Sequence, residues 1–146
     1  MICRAIASLE AVNIPEAFIR HKNGLGQLTA IESDSDRQDA TFLIMDGLAN
    51  GQLLSFQAKN VPQAFLRHRD GRIRLEDRPQ NAEDAKQFDL DATFAWEPFG
   101  SFRSYNAPNH YIRHRNGELW LDERPADADA FDEDATFSVV APLAVD

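Results

Sequence analysis

One cysteine, Cys3, stands among 146 residues, which leaves no internal disulfide framework and no cysteine-based zinc site within the chain. Long apolar runs are missing too: the longest, Phe137 to Val145, is far short of the roughly 20 residues that a membrane-spanning helix needs. The N-terminus, Met-Ile-Cys-Arg-Ala-Ile-Ala-Ser, lacks the charged lead and long apolar segment of an export signal, and no Asn-x-Ser/Thr glycosylation acceptor occurs. Positive charge is scarce: 15 Lys and Arg face 24 Asp and Glu, a formal net charge of -9. That balance repels phosphate backbones and anionic lipid, so neither nucleic acid nor a membrane is expected as a partner. No Gly-x-Ser-x-Gly elbow is present. The acidic run Asp127, Asp129, Asp132, Asp134 lacks the spacing and central glycine of an EF-hand loop and reads as a solvated face, so no metal or other cofactor is expected.

What the chain does have is repetition. Asp-Ala-Thr-Phe occurs at Asp39 to Phe42, Asp91 to Phe94 and Asp134 to Phe137. Upstream of each lies an aromatic-aliphatic-Arg-His block: Phe18-Ile19-Arg20-His21, Phe65-Leu66-Arg67-His68 and Tyr111-Ile112-Arg113-His114. Asn-x-Pro precedes each block (Asn13 and Pro15, Asn60 and Pro62, Asn106 and Pro108), and Asn23-Gly24, Asp70-Gly71 and Asn116-Gly117 follow. Ser8-Leu9, Ser55-Phe56 and Ser101-Phe102 open the three copies, whose histidines recur after 47 and then 46 residues. The chain is thus read as one domain, 1–146, of three units at about 1–50, 51–98 and 99–146.

Within a unit the pattern is strand, turn and strand, without helical periodicity. Asn-Gly and Asp-Gly accept the positive φ of tight hairpins, which places each His and the next strand on one hairpin. The prolines lack an N–H and belong where strands begin. The polar stretches from Arg78 to Leu90 and from Arg124 to Asp132 read as loops with room for a helical turn. Four short strands in each of three units predict an all-β fold with threefold pseudo-symmetry, and closure removes exposed strand edges. The expected fold is a β-trefoil.

The motif set Ser-Phe-x-(Ala/Ser)-x-Asn-x-Pro, (Phe/Tyr)-(Ile/Leu)-Arg-His and Asp-Ala-Thr-Phe resembles the arabinose-binding domain of α-L-arabinofuranosidase B, carbohydrate-binding module family 42, from about Ser8 to Val140. The resemblance implies a β-trefoil of the kind appended to glycoside hydrolases, binding arabinofuranose side chains of polysaccharides such as arabinoxylan. It also implies a glycoside hydrolase as partner, and His and Asp as sugar-binding residues. These are His68 with Asp91 and His114 with Asp134. His21 with Asp39 ranks last, because the first unit reads Thr29-Ala30-Ile31-Glu32 where the others read Glu76-Asp77-Arg78-Pro79 and Asp122-Glu123-Arg124-Pro125. Family members are usually secreted; without a visible leader the chain is expected to be cytoplasmic or an excised domain.

Asp and His supply the acceptor and the donor-or-acceptor that sugar hydroxyls need, and Phe18, Phe65, Tyr111 or Trp120 offers an aromatic wall. The same repetition suits His–Asp bonds that merely fix each unit's loops, and both readings stand. Strand alternation turns Ile19, Leu66 and Ile112 inward with their histidines, and the aromatics and arginines outward. Asn-x-Pro, Ser-Phe and Thr-Phe read as core or turn residues, and the arginines as partners of local carboxylates. Retaining glycoside hydrolysis needs two carboxylates about 5 Å apart. Glu76-Asp77 and Asp122-Glu123 would point to opposite strand faces, so no catalytic residue is expected and the chain is not read as an enzyme. The second functional reading is a protein-interaction domain that has lost sugar binding, using an apolar surface around Phe99 and Phe102.

Overall fold

The computed structural model describes residues 2–145. Unit one holds β1 (Cys3–Ala11), β2 (Ala17–Lys22), β3 (Leu25–Ala30), α1 (Asp34–Asp39) and β4 (Phe42–Asp46). Unit two holds β5 (Leu54–Ala58), β6 (Ala64–Arg69), β7 (Arg72–Asp77), α2 (Ala82–Asp91) and β8 (Phe94–Trp96). Unit three holds β9 (Phe102–Ser104), β10 (His110–Arg115), β11 (Glu118–Glu123), α3 (Asp129–Asp134) and β12 (Phe137–Val140).

The hairpins form as the turn chemistry requires. Asn23-Gly24, Asp70-Gly71 and Asn116-Gly117 all have positive φ, between 55° and 76°, and link strands in two-residue turns. The second strands of the hairpins then meet one another, through Leu28 N–H to Gly117 O, Leu75 N–H to Gly24 O and Leu121 N–H to Gly71 O, at 2.8–3.0 Å. At their meeting point Gly26 stands where the other units have Ile73 and Leu119. A Cβ there would lie 3.0 Å from Ile73 and 3.2 Å from Leu119, so the threefold centre admits two large side chains and not three.

The remaining strands join across unit boundaries. β4 runs against β5 from Phe42↔Ala58 to Asp46↔Leu54, and β12 returns to β1 from Ser8↔Val140 to Ala11↔Phe137. All twelve strands belong to one antiparallel sheet that closes on itself. The expected β-trefoil is therefore corrected to a closed antiparallel β-barrel. The units are not separate bodies, because the ladders that cross their boundaries are part of the same continuous sheet.

The barrel fills with the repeated apolar positions. Phe42, Phe94 and Phe137 of Asp-Ala-Thr-Phe, and Leu9, Phe56 and Phe102 of the opening motif, are each at most 2% exposed. Phe102 meets Phe56 at 5.1 Å and Phe137 at 6.2 Å between ring centroids. Ile19, Leu66 and Ile112 complete the core.

α2 and α3 begin within the two polar stretches expected to be loops with room for a helical turn, α1 stands where no such stretch was expected, and α2 is ten residues long. Asn81 starts it by accepting from Glu83 N–H at 2.8 Å, with Glu83 and Asp84 placed where the helix dipole favours acids. Ser33 caps α1 in the same manner. These helices left no periodic trace because each is short and polar and buries few side chains. Every one ends on the Asp of the repeated motif, and Ala40, Ala92 and Ala135 behind it are buried.

Candidate functional site

The hairpin and helix of one unit and the loop of the next meet at three equivalent places. His21 Nε2 lies 2.8 Å from Asn60 Oδ1, and Asn60 Nδ2 donates to Asp39 Oδ1 at 2.8 Å. His68, Asn106 and Asp91 repeat this at 2.8 and 2.8 Å, and His114, Asn13 and Asp134 at 2.8 and 2.9 Å. Because the asparagine Nδ2 donates to the carboxylate, its Oδ1 accepts, which puts the histidine proton on Nε2. The other carboxylate oxygen takes an arginine: Arg20 to Asp39 at 2.6 Å, Arg113 to Asp134 at 2.7 Å, and Arg67 to Asp91. Each arginine is held in turn by its Nε, which donates to the carbonyl of the neighbouring histidine at 3.0–3.1 Å.

The structure thus brings together all six expected residues, in the pairs expected. His and Asp do not bond directly; they lie 3.6–3.7 Å apart with asparagine bridging them. That asparagine, from Asn-x-Pro, reads in the sequence as a core or turn residue, and the structure makes it part of the cluster. The signal was its recurrence in every unit, but only the barrel shows that each Asn serves the histidine of the preceding unit. The arginines pair with local carboxylates, as their sequence context indicated.

Around this shared circuit the units differ. Arg67 and Arg113 stack over Phe88 and Phe131 at 5.0 and 5.1 Å, and reach Glu76 and Asp122 at 3.1 and 3.3 Å. In unit one, Thr29 stands in place of those acids and Asp36 in place of those rings; Arg20 bonds Asp36 at 3.1 Å. Arg78 clamps Asp89, and Arg124 clamps Asp132, each through two bonds of 2.7–2.9 Å. Unit one has Ile31 and Arg37 at those positions.

Two aromatic expectations change. Phe65 is 3% exposed because α2 lays Phe88 against it, so it forms no sugar-facing wall. Tyr111 likewise packs on Phe131. Trp120 lies between Arg72 and Arg115, at 5.2 and 4.5 Å. Phe102 is fully buried, so the exposed apolar surface expected around it consists of Phe99 with Trp96 instead. Among the described residues no group of three or more His, Cys, Asp or Glu is arranged to hold a metal ion.

Electrostatics follow burial. Burial pushes the His114 imidazole below its ordinary 6.5; Asp134 opposes this and Arg113 adds to it, so the ring is neutral near pH 7. Burial raises the Glu76 carboxyl, but Arg69 and Arg67 outweigh it and hold the group below its usual value. The hydrogen bond from Arg124 lowers Asp132.

Each circuit retains bonding capacity. Asp39 and Asp134 accept one side-chain hydrogen bond at each oxygen, out of about four lone-pair sites. Asp91 takes a further bond from Gln87 at 3.0 Å, and its side chain is 9% exposed against 27% for Asp134. Among the described residues the Nδ1 atoms of His21, His68 and His114 make no hydrogen bond.

Comparison with solved structures gives the barrel a close counterpart. An arabinofuranosidase complexed with arabinofuranosyl-α-1,2-xylobiose superposes with a TM-score of 0.88 at 24% identity, over 99% of this chain and 32% of that one. An endo-β-galactosidase from Clostridium perfringens, which releases GlcNAcα1-4Gal, superposes at 0.71 and 12% identity, over 92% and 32%. The β-trefoil lectin of the Vibrio vulnificus hemolysin/cytolysin, with N-acetyl-D-lactosamine bound, follows at 0.64 and 11% identity, over 94% and 95%. The chain therefore spans about a third of the arabinofuranosidase it matches. No curated protein matches the sequence. The profile of the α-L-arabinofuranosidase B domain matches residues 7–139, nearly the whole chain, and the chain belongs to that domain family.

Proposed function

We propose that this domain binds arabinofuranose side chains of polysaccharides such as arabinoxylan without cleaving them, alongside a glycoside hydrolase as partner. The family match over residues 7–139 carries the reading. The likeness to an arabinofuranosidase in complex with an arabinofuranosyl-xylobiose supports the choice of sugar. The His–Asn–Asp circuits support the mode. A carboxylate with spare lone pairs, beside an imidazole whose Nδ1 is uncommitted, offers the acceptors that vicinal hydroxyls require. Pairs of carboxylates free to act as acid and nucleophile are not part of this proposal, since Glu76 is engaged by Arg67 and Arg69.

His68 with Asp91 and His114 with Asp134 are proposed as the working sites, the third unit foremost because Asp134 is the more open. Calorimetry with L-arabinose and affinity electrophoresis with arabinoxylan test this. Asp91→Ala and Asp134→Ala each weaken binding about tenfold, the ~1.4 kcal/mol typical of a lost hydrogen-bonded contact, while Asp39→Ala has little effect. A folded protein that binds neither ligand at millimolar concentration overturns the proposal. The alternative, an interaction domain without sugar binding, draws on Phe99, which is 97% exposed beside a half-exposed Trp96.

A further inference from the structure

In two of the three units a segment of the chain itself bonds to the repeated Ser and Thr, and beside it at unit one a cavity of about 380 Å³ is left, lined by Phe18 and Leu143 among others. Leu48 N–H donates to Ser55 Oγ and Ala49 N–H to Thr93 Oγ1, both at 3.0 Å, while Leu48 packs beside Phe65 and Phe88. At unit one, Leu143 N–H donates to Ser8 Oγ at 3.0 Å and Ala144 N–H to Thr41 Oγ1 at 3.1 Å. The same dipeptide, Leu-Ala, thus makes these bonds in both units. It uses two successive backbone donors and one branched side chain.

Unit three has the receiving residues and lacks the plug. Ser101 and Thr136 occupy the positions of Ser8 and Ser55, and of Thr41 and Thr93. Tyr111, Phe131 and Ala135 repeat the apolar slot. The loop that would fill it is too short: 12 residues lie between Phe42 and Ser55, but only six between Phe94 and Ser101. Gly100 is pinned there at φ +97°, where a Cβ would strike Phe137 O at 2.4 Å, and Phe99 takes φ +79°, rare for an aromatic residue. A cavity of about 510 Å³ remains, lined by Phe99, Ser101, Tyr111, Arg124, Ala135 and Thr136 among others. Thr136 Oγ1 donates to Asp132 O at 2.6 Å, as Thr93 does to Asp89 O at 2.8 Å, but neither it nor Ser101 Oγ accepts an N–H from the described residues.

We infer that this cavity is a peptide-binding site that accepts a Leu-Ala segment of another polypeptide, such as a partner domain. Its leucine would lie against Tyr111, and its two N–H groups would reach Ser101 and Thr136. The cavity is not lined by His114, Asn13 or Asp134, and the inference does not depend on sugar binding.

The probe is the peptide N-acetyl-Asp-Gly-Leu-Ala-Asn-amide, which copies residues 46–50. It is titrated to about 20 mM, a range that detects a weak short ligand, against the isotope-labelled chain by amide NMR. The expected result is saturable shifts at Ser101, Tyr111 and Thr136 that vanish when the peptide leucine is replaced by aspartate. Thr136→Val should weaken the peptide about tenfold, the effect of one lost acceptor, and Ser101→Ala provides an independent second variant. Neither variant should alter arabinoxylan binding. Shifts that are absent, equal for both peptides, or reproduced at these residues by L-arabinose would overturn the inference.

Discussion

The first unit and the second share one internal circuit and differ in what surrounds it. In both, histidine, asparagine, aspartate and arginine connect at nearly the same distances. In the second, Phe88, Glu76 and Gln87 close over the arginine and aspartate, whereas the first leaves Asp36 and Thr29 at the edge. What the two share is the joint, and what separates them is the ring, the acid and the amide that close over it. Each circuit is a joint between consecutive units, and a ligand would distinguish them by the outer residues.

Arginine replacement puts the largest strain on this comparison. Arg67→Ala strands Asp91, whose side chain is only 9% exposed, and is expected to cost about 3–5 kcal/mol in urea unfolding. Arg20→Ala leaves the 19% exposed Asp39, which no ring or glutamine covers, closer to water and should cost less than half of that. Equal losses would show that the outer shell does not matter.

The third joint should respond to acid. His114 titrates below 6.5 in the folded chain, so the unfolded chain binds the proton first. The stabilisation from its neutral ring is complete above 6.5 and falls away as the pH drops from there through the lowered folded value. His114→Gln, which keeps a donor toward Asn13, should flatten that part of a stability–pH curve. An unchanged slope would place the acid sensitivity elsewhere.

The smallest effect is expected at the clamps that unit one lacks. Arg78→Ala and Arg124→Ala remove pairs in which the arginines are more than 40% exposed; the first should cost under about 1 kcal/mol, and the second should barely move the urea midpoint. A larger loss would mean that the clamps, rather than the buried circuits, set the units apart.

Much of this was legible in the residues. Asn-Gly and Asp-Gly fixed the hairpins, because few other pairs tolerate two successive positive φ values. Alternation placed Ile19, Leu66 and Ile112 in the core beside their histidines. The helices were legible only as room for a helical turn, since six to ten mostly polar residues carry no periodic signal, and the burial of Phe65 was not legible. The bridging asparagine escaped because Asn60 serves His21, 39 residues away, and Asn13 serves His114, 101 residues away.

By itself the sequence determined the three units, their hairpins and the apolar core positions, which rest on local geometry and repetition, while the grouping of His with Asp was implied by the family resemblance. The tertiary structure alone decided that the ladders run across the unit boundaries into one sheet, that each circuit is completed by the following unit, and that the third unit lacks its plug. Those outcomes depend on strands and loops far apart in the chain meeting when the barrel closes, which no local pattern encodes.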